Sequence, residues 1–170
     1  MNRILIILFV FLSCEVLGQE TEFFEPDSIK RVVEATQIGN QIKIDGVLND
    51  SEWSNAKLVS DFIQIEPVQG EKAIHRTILG ILYNARYLYL GIYAQDSVGK
   101  KSIRATDFKR DFDFKQHDLV TIAIDAFNDN RNSMAFVTNP YGVQRDLLGY
   151  DDIYYNLEWD GLWQVRSTRT

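Results

Sequence analysis

A single cysteine, Cys14, occurs in the 170 residues, so no disulfide can close within the chain and no cysteine cluster can hold a metal. Three prolines and ten glycines are too few for a collagen-like or low-complexity chain. No Gly-rich phosphate loop occurs, and neither His75 nor His117 sits in a metal or nucleophile motif. Positive charge is the minority: 18 Lys and Arg face 24 Asp and Glu, a net charge of -6. No clustered basic patch stands out along the sequence, which argues against a nucleic acid or an anionic membrane as partner. Helical periodicity is nearly absent. What remains is 45% hydrophobic and 12% aromatic residues, enough to fill one core and leave rings for a binding face.

The one long apolar run, residues 4–12, follows Arg3 and precedes Val16-Leu17-Gly18, whose residues suit a cleavage site. This order reads as a secretory signal peptide over residues 1–18, and the run is too short to span a bilayer. Cleavage there removes Cys14 and leaves a mature chain without a thiol, although its compartment would allow disulfides. A competing reading takes Leu12-Ser13-Cys14 as a lipoprotein box with Cys14 acylated, but Phe11 stands where such boxes prefer Leu. Both readings send the chain to the periplasm, the outer membrane or the cell surface.

After an acidic leader, residues 19–31, the apolar pattern turns to period two and stays so through residues 32–170. Candidate strands cover residues 32–38, 42–44, 62–65, 73–82, 87–95, 119–127, 133–139, 143–149 and 162–168. Short turns separate them, including Asn84-Ala85-Arg86 and Asn128-Asp129-Asn130-Arg131-Asn132, as expected of an all-β, two-sheet antiparallel, jelly-roll-like β-sandwich. One helical turn is expected over residues 49–56, with Asn49 or Asp50 as cap and Trp53 pointing inward. In residues 87–95, Leu88, Leu90, Ile92 and Ala94 share one face and Tyr87, Tyr89, Gly91 and Tyr93 the other. The predicted core takes Trp53, Leu88, Leu90, Ile92, Val120, Ile122 and Ile124. The tyrosine row is either a sugar-stacking platform or a set of rings laid over neighbouring strands. The irregular stretch over residues 97–116 alternates in charge and is either a functional rim or a solvated insertion.

Three segments carry a resemblance to a known family. Ile44-Asp45-Gly46 leading through an acidic turn to Trp53, Tyr87-Leu88-Tyr89 after a tight turn, and Asp118-Leu119-Val120-Thr121-Ile122-Ala123-Ile124-Asp125 together resemble, in order, the motifs of family 9 carbohydrate-binding modules. Phe136-Val137-Thr138-Asn139-Pro140-Tyr141-Gly142-Val143-Gln144-Arg145-Asp146 is similar to a segment of the subset that opens large exported proteins of Bacteroidetes-type bacteria, where a long barrel-like β-region follows. The resemblance implies a β-sandwich whose closing strands lie beyond Thr170, so the domain is read as truncated at its C-terminus.

The resemblance also implies a sugar clamp built from a Trp before the third motif, a Glu within it and an Arg on the next strand. The corresponding positions hold Phe114 or Lys115, Thr121 and Val137. The expected ligand-binding residues are therefore rings: Phe114, aided by Trp159 and Trp163 or by Tyr87 and Tyr89. Some family members bind calcium; Asp107, Asp111, Asp113, or Asp125 with Asp129 would be its carboxylates, though no spacing matches a calcium loop, and no cofactor is otherwise expected. Asp146, Asp151, Asp152, Glu158 and Asp160 invite a glycosidase reading but equally describe a soluble acidic loop, and no catalytic residue is assigned. The expected function is a non-catalytic carbohydrate-binding module taking a poly- or oligosaccharide. The alternative is an interaction domain without sugar binding, packed against the C-terminal, barrel-like region of its parent protein.

Overall fold

Two hairpin signals build most of the fold. At Asn84 the side-chain oxygen accepts from the amides of Arg86 and Tyr87, both at 2.9 Å, which turns the chain between β3 (Thr77–Tyr83) and β4 (Leu88–Ala94). At residues 125–132, Asn128 and Asn130 adopt positive φ, and the Asp125 carboxylate accepts from the amides of Phe127, Asp129 and Asn130. That loop joins β5 (Val120–Ile124) to β6 (Ser133–Thr138). Both signals rest on Asn and Asp side chains mimicking backbone acceptors, and the second also on Asn tolerating the left-handed region.

The structure, a computed structural model, describes residues 30–151 and 153–169. Residues 1–29, on which the signal-peptide, lipoprotein and most of the leader readings fall, lie outside the described residues, as do Asp152 and Thr170. The unit Arg31–Thr170 is all-β, in the sandwich class, with two four-stranded sheets. In the first sheet β4 fills one edge of β3, while β1 (Thr36–Gln37) and β2 (Leu58–Val59) share the other. The second sheet is the antiparallel meander β5, β6, β7 (Gln144–Tyr150) and β8 (Tyr154–Asn156).

The alternation located faces better than partners. Residues 32–38 shrink to β1, which pairs in parallel with β3, Thr36 opposite Leu82; the long excursion between the two strands makes that direction accessible. Residues 62–65 keep one bridge, Ile63 to Lys72, and residues 42–44 and 162–168 form no strand. β8 carries no apolar alternation and was not expected. The helical turn is present as a 3-10 turn, Ser51–Asn55, capped by backbone alone, since the Asp50 side chain makes no capping bond.

Which face of β4 is core differs from the sequence reading. Leu88 is 51% exposed, whereas Tyr89 is 5% exposed and packs with Ile42 and Leu82, with Ile38, Trp53 and Ala56 around them. The cause is a cross-strand pair of glycines, Gly80 opposite Gly91. A Cβ on Gly91 would stand 2.6 Å from Trp53 Cζ3, so the missing side chains form the slot in which the indole lies. The tyrosine face is thus the one that Trp53 covers.

The C-terminal stretch is held by side chains rather than by a strand ladder. Ser167 Oγ donates to the Pro140 carbonyl and Thr168 Oγ1 to the Gly46 carbonyl, each at 2.7 Å. Gly46 has a φ of 82°, and a Cβ there would sit 2.8 Å from the Ser167 carbonyl carbon. Gly46→Ala is therefore expected to cost about 1–3 kcal/mol through left-handed strain and this backbone clash. Chemical denaturation reads it as a lower midpoint at constant slope; an unchanged midpoint would mean that residues 167–168 do not press on the Gly46 turn.

Candidate functional site

The charged stretch between β4 and β5 is tied down at both ends. On its β4 side Asp96 accepts from the Val98 amide at 2.8 Å and from the Ser102 hydroxyl, and these two bonds, the hydroxyl first, hold its carboxyl below the usual range. On its β5 side the Arg104 amide donates to Asp118 Oδ2 and the Asp118 amide to the Arg104 carbonyl, both at 2.8 Å. Further along, the Asp111 amide donates to the Gln144 carbonyl at 3.0 Å, which lays the loop against β7. Arg145 donates through Nη1 to the Asp111 carbonyl at 3.1 Å and to the Phe112 carbonyl. On the opposite face of β7, Arg110 reaches Asp146 at 2.6 Å. These bonds anchor the stretch at several points, while most of its side chains stay exposed.

A short turn, Phe114–Gln116, follows, with Asp113 accepting from the Lys115 amide at 3.2 Å as its cap. Before it Phe112 is fully buried, its ring centroid 5.0 Å from that of His117. Phe114 is partly exposed, and the Arg145 guanidinium lies 4.4 Å from its ring centroid. The register sets Thr121 beside Val137 and Val137 beside Arg145 along one face of β5, β6 and β7. Thr121 is exposed and Val137 is fully buried. A guanidinium therefore stands one strand over from Val137, at Arg145. Alternation from Val137 and the short turn at Asn139 to Gly142 is the signal in the sequence that would have found it.

The other predicted rings lie elsewhere. Trp159 and Trp163 flank Phe136, with centroids 5.9 Å and 5.3 Å away. Phe136 pairs with Asp146 and points to the face opposite that of Val137 and Arg145, so neither tryptophan joins Phe114. Tyr87 and Tyr89 sit on the first sheet, their centroids 6.0 Å apart. Tyr87 is half-exposed, but Tyr89 belongs to the core, and its hydroxyl takes a bond from Asn84 Nδ2 at 3.2 Å. A stacking platform made of that row is thus reduced to Tyr87 and the half-exposed Tyr93.

The carboxylates weighed for calcium, and Asp146, Asp151 and Asp160 among those weighed for catalysis, are engaged in local bonds. Asp107, Asp113, Asp125 and Asp129 accept from nearby amides, and Asp111 lies 3.8 Å from Arg110 Nε. Among the described residues no group of three or more His, Cys, Asp or Glu is arranged to hold a metal ion. Asp146 and Asp160 share one guanidinium, Arg110 Nη2, at 2.6 Å and 2.9 Å, and Asp151 pairs with Arg131. The bond from Asp160, with Asp146 and Asp111 nearby, holds the Arg110 proton more tightly than usual despite partial burial. Two carboxylates bridged by a cation form a structural tie.

Asp129 gives a pH prediction. Bonds from the Asn132 side chain, then from the Asn132 and Arg131 amides, hold its carboxyl below the usual range. A lowered folded value means that its contribution is present at neutral pH and is lost as pH falls below about 4. Asp129→Asn is expected to lower the thermal midpoint at pH 7 and to narrow the gap to the parent protein below pH 4; a gap independent of pH would contradict it.

No family model, no curated protein and no solved structure matches this chain.

Proposed function

We propose that the chain is a non-catalytic carbohydrate-binding domain of an exported protein, with Phe114 as its sugar-stacking ring and Arg145 and Thr121 as polar neighbours. The observation that carries this reading is the Phe114–Arg145 pair: a partly exposed ring on a capped turn, with a guanidinium 4.4 Å from its centroid. A pyranose would stack on the ring face that Arg145 leaves open, and Arg145, whose Nη1 is held by the Asp111 and Phe112 carbonyls, would offer its Nη2 to the sugar oxygens. The three-motif resemblance to family 9 carbohydrate-binding modules and the signal-peptide-like N-terminus support the same reading.

Because both described tryptophan rings of residues 159 and 163 lie on the opposite face from Phe114, calorimetry is the suitable readout rather than tryptophan emission. Titration of the full chain with an oligosaccharide panel is expected to give saturable binding for at least one member. Phe114→Ala should weaken that binding about tenfold, the effect of roughly 1.4 kcal/mol of lost stacking. Trp159→Ala should leave the affinity unchanged. Saturable binding that survives Phe114→Ala would move the site elsewhere.

A second reading, an interaction domain packed on the barrel-like region of a larger outer-membrane protein, is favoured by one observation. The face of the first sheet away from Trp53 carries the half-exposed Leu88 and the exposed Tyr83 beside partly exposed Leu90 and Ile92. No glycan binding at millimolar concentration, together with association with that region, would favour it.

A further inference from the structure

The sequence shows no basic cluster, yet the fold brings two cations of the β4–β5 loop to one cleft. Residues 97–118 hold six basic and four acidic side chains, in a chain that is acidic elsewhere. All four acidic groups are already engaged: Asp107 with the Lys109 amide, Asp111 with Arg110, Asp113 with the Lys115 amide and Asp118 with the Arg104 amide. Among the described residues, no carboxylate stands within 4.0 Å of the side-chain nitrogens of Arg104 or Lys115. Eleven residues apart on this loop, these two cations line one open cleft of about 420 Å³, with Thr106 and Gln116 beside them and Ile103 and Ala105 as apolar lining.

We propose that this cleft is a subsite for an anionic group on the glycan, the carboxylate of a uronic acid or a sulfate ester, so that the domain selects acidic polysaccharides. The inference rests on the carbohydrate reading above and names its substrate class. Its volume falls in the range of small-molecule sites, large enough for one sugar ring with its substituent. Arg offers a planar fork that matches a carboxylate or sulfate, and Lys a compact charge. Thr106 and Gln116 supply hydroxyl and amide groups that can bond ring hydroxyls. The backbone that carries these side chains is held at Arg104 by its two bonds with Asp118 and at Lys115 by the Asp113-capped turn. That same turn carries Phe114, which puts the proposed stacking ring one residue from Lys115 in the chain.

Calorimetric titration of the full chain with three oligosaccharide classes tests this: neutral β-glucans, oligogalacturonides and sulfated galactans. Acidic members are expected to bind at least tenfold more tightly than neutral ones, and half-molar sodium chloride should erase most of the difference. Arg104→Gln and Lys115→Gln should each weaken the acidic ligand several-fold and leave neutral ligands unchanged, whereas Phe114→Ala should weaken both. Arg104 joins the fold through its backbone, so the Gln variants are expected to keep the parent circular dichroism spectrum and midpoint. Methyl-esterified oligogalacturonide and desulfated galactan identify which anion is read. Equal affinity for neutral and acidic members, or acidic binding untouched by both Gln substitutions, overturns the subsite and leaves the carbohydrate reading standing. Absence of binding to every class overturns both.

Discussion

Trp53→Ala is expected to lower the stability of the domain by about 3–5 kcal/mol, the largest loss of any single substitution considered. The indole lies over the Gly80–Gly91 pair and against the cluster of Ile42, Leu82 and Tyr89. The strands beneath it present only hydrogen atoms at those two positions, so the space would be left to partial relaxation of the bordering Leu48, Ala56 and Leu58. Trp53 Nε1 is buried without a bond partner among the described residues, so the ring contributes through packing rather than through hydrogen bonding. Trp53→Phe should recover about half of the loss, since one ring fills half of the slot. Urea denaturation checks both. A midpoint unchanged in Trp53→Ala would mean that the indole is not seated between those strands.

Asp146→Ala is expected to cost about 2–4 kcal/mol. Asp146 is fully buried on β7, accepts from Arg110 Nη2 at 2.6 Å and also from the Gly161 amide. Removing the carboxylate strips the Gly161 amide of its acceptor and loosens the turn that brings Trp159 and Trp163 over Phe136. The loss stays below that of a fully buried pair because the Arg110 side chain is 40% exposed and regains water. Asp146→Asn keeps an acceptor for Gly161 and should cost about half as much. Near-ultraviolet circular dichroism of the tryptophans is expected to fade in Asp146→Ala well before global unfolding. A parent-like tryptophan spectrum combined with a parent-like midpoint would show that the Arg110–Asp146–Gly161 tie does not hold that turn.

Strand existence was legible where alternation coincided with a turn signal: β3 and β4 around Asn84, and β5, β6 and β7 around the two Asn-rich loops. Strand partnership was not, because a period of two reports which residues share a face and says nothing of which edge they meet. Residues 162–168 alternate well yet bond through Ser167 and Thr168 side chains instead of a ladder. The buried face of β4 was misjudged for a definite reason. Leu88, Leu90 and Ile92 outrank a row of tyrosines in hydrophobicity, but two glycines facing each other across β3 and β4 create a slot that only the register reveals.

The candidate site was legible in one ring and hidden in its partners. Phe114 followed from its place before the β5 motif. Arg145 could not be assigned until the β6–β7 register put it in line with Thr121 and Val137. The cations of the cleft were masked on the linear sequence, where the six basic residues of the loop are interspersed with four acidic ones. In the fold those acidic neighbours bond to backbone amides and leave Arg104 and Lys115 facing a common space. Trp159 and Trp163 were grouped with Phe114 on chemistry alone, and β6 separates them by one residue of alternation.

The measurement that bears most directly on the central claim is amide chemical-shift mapping of the isotope-labelled chain titrated with an oligosaccharide panel. Binding at the proposed site predicts saturable shifts clustered at residues 103–106, 114–117, 121 and 145, absent from residues 87–93 and 159–163. No shift with any glycan at millimolar concentration, or shifts confined to the β4 tyrosines or the Trp159–Trp163 turn, would contradict it.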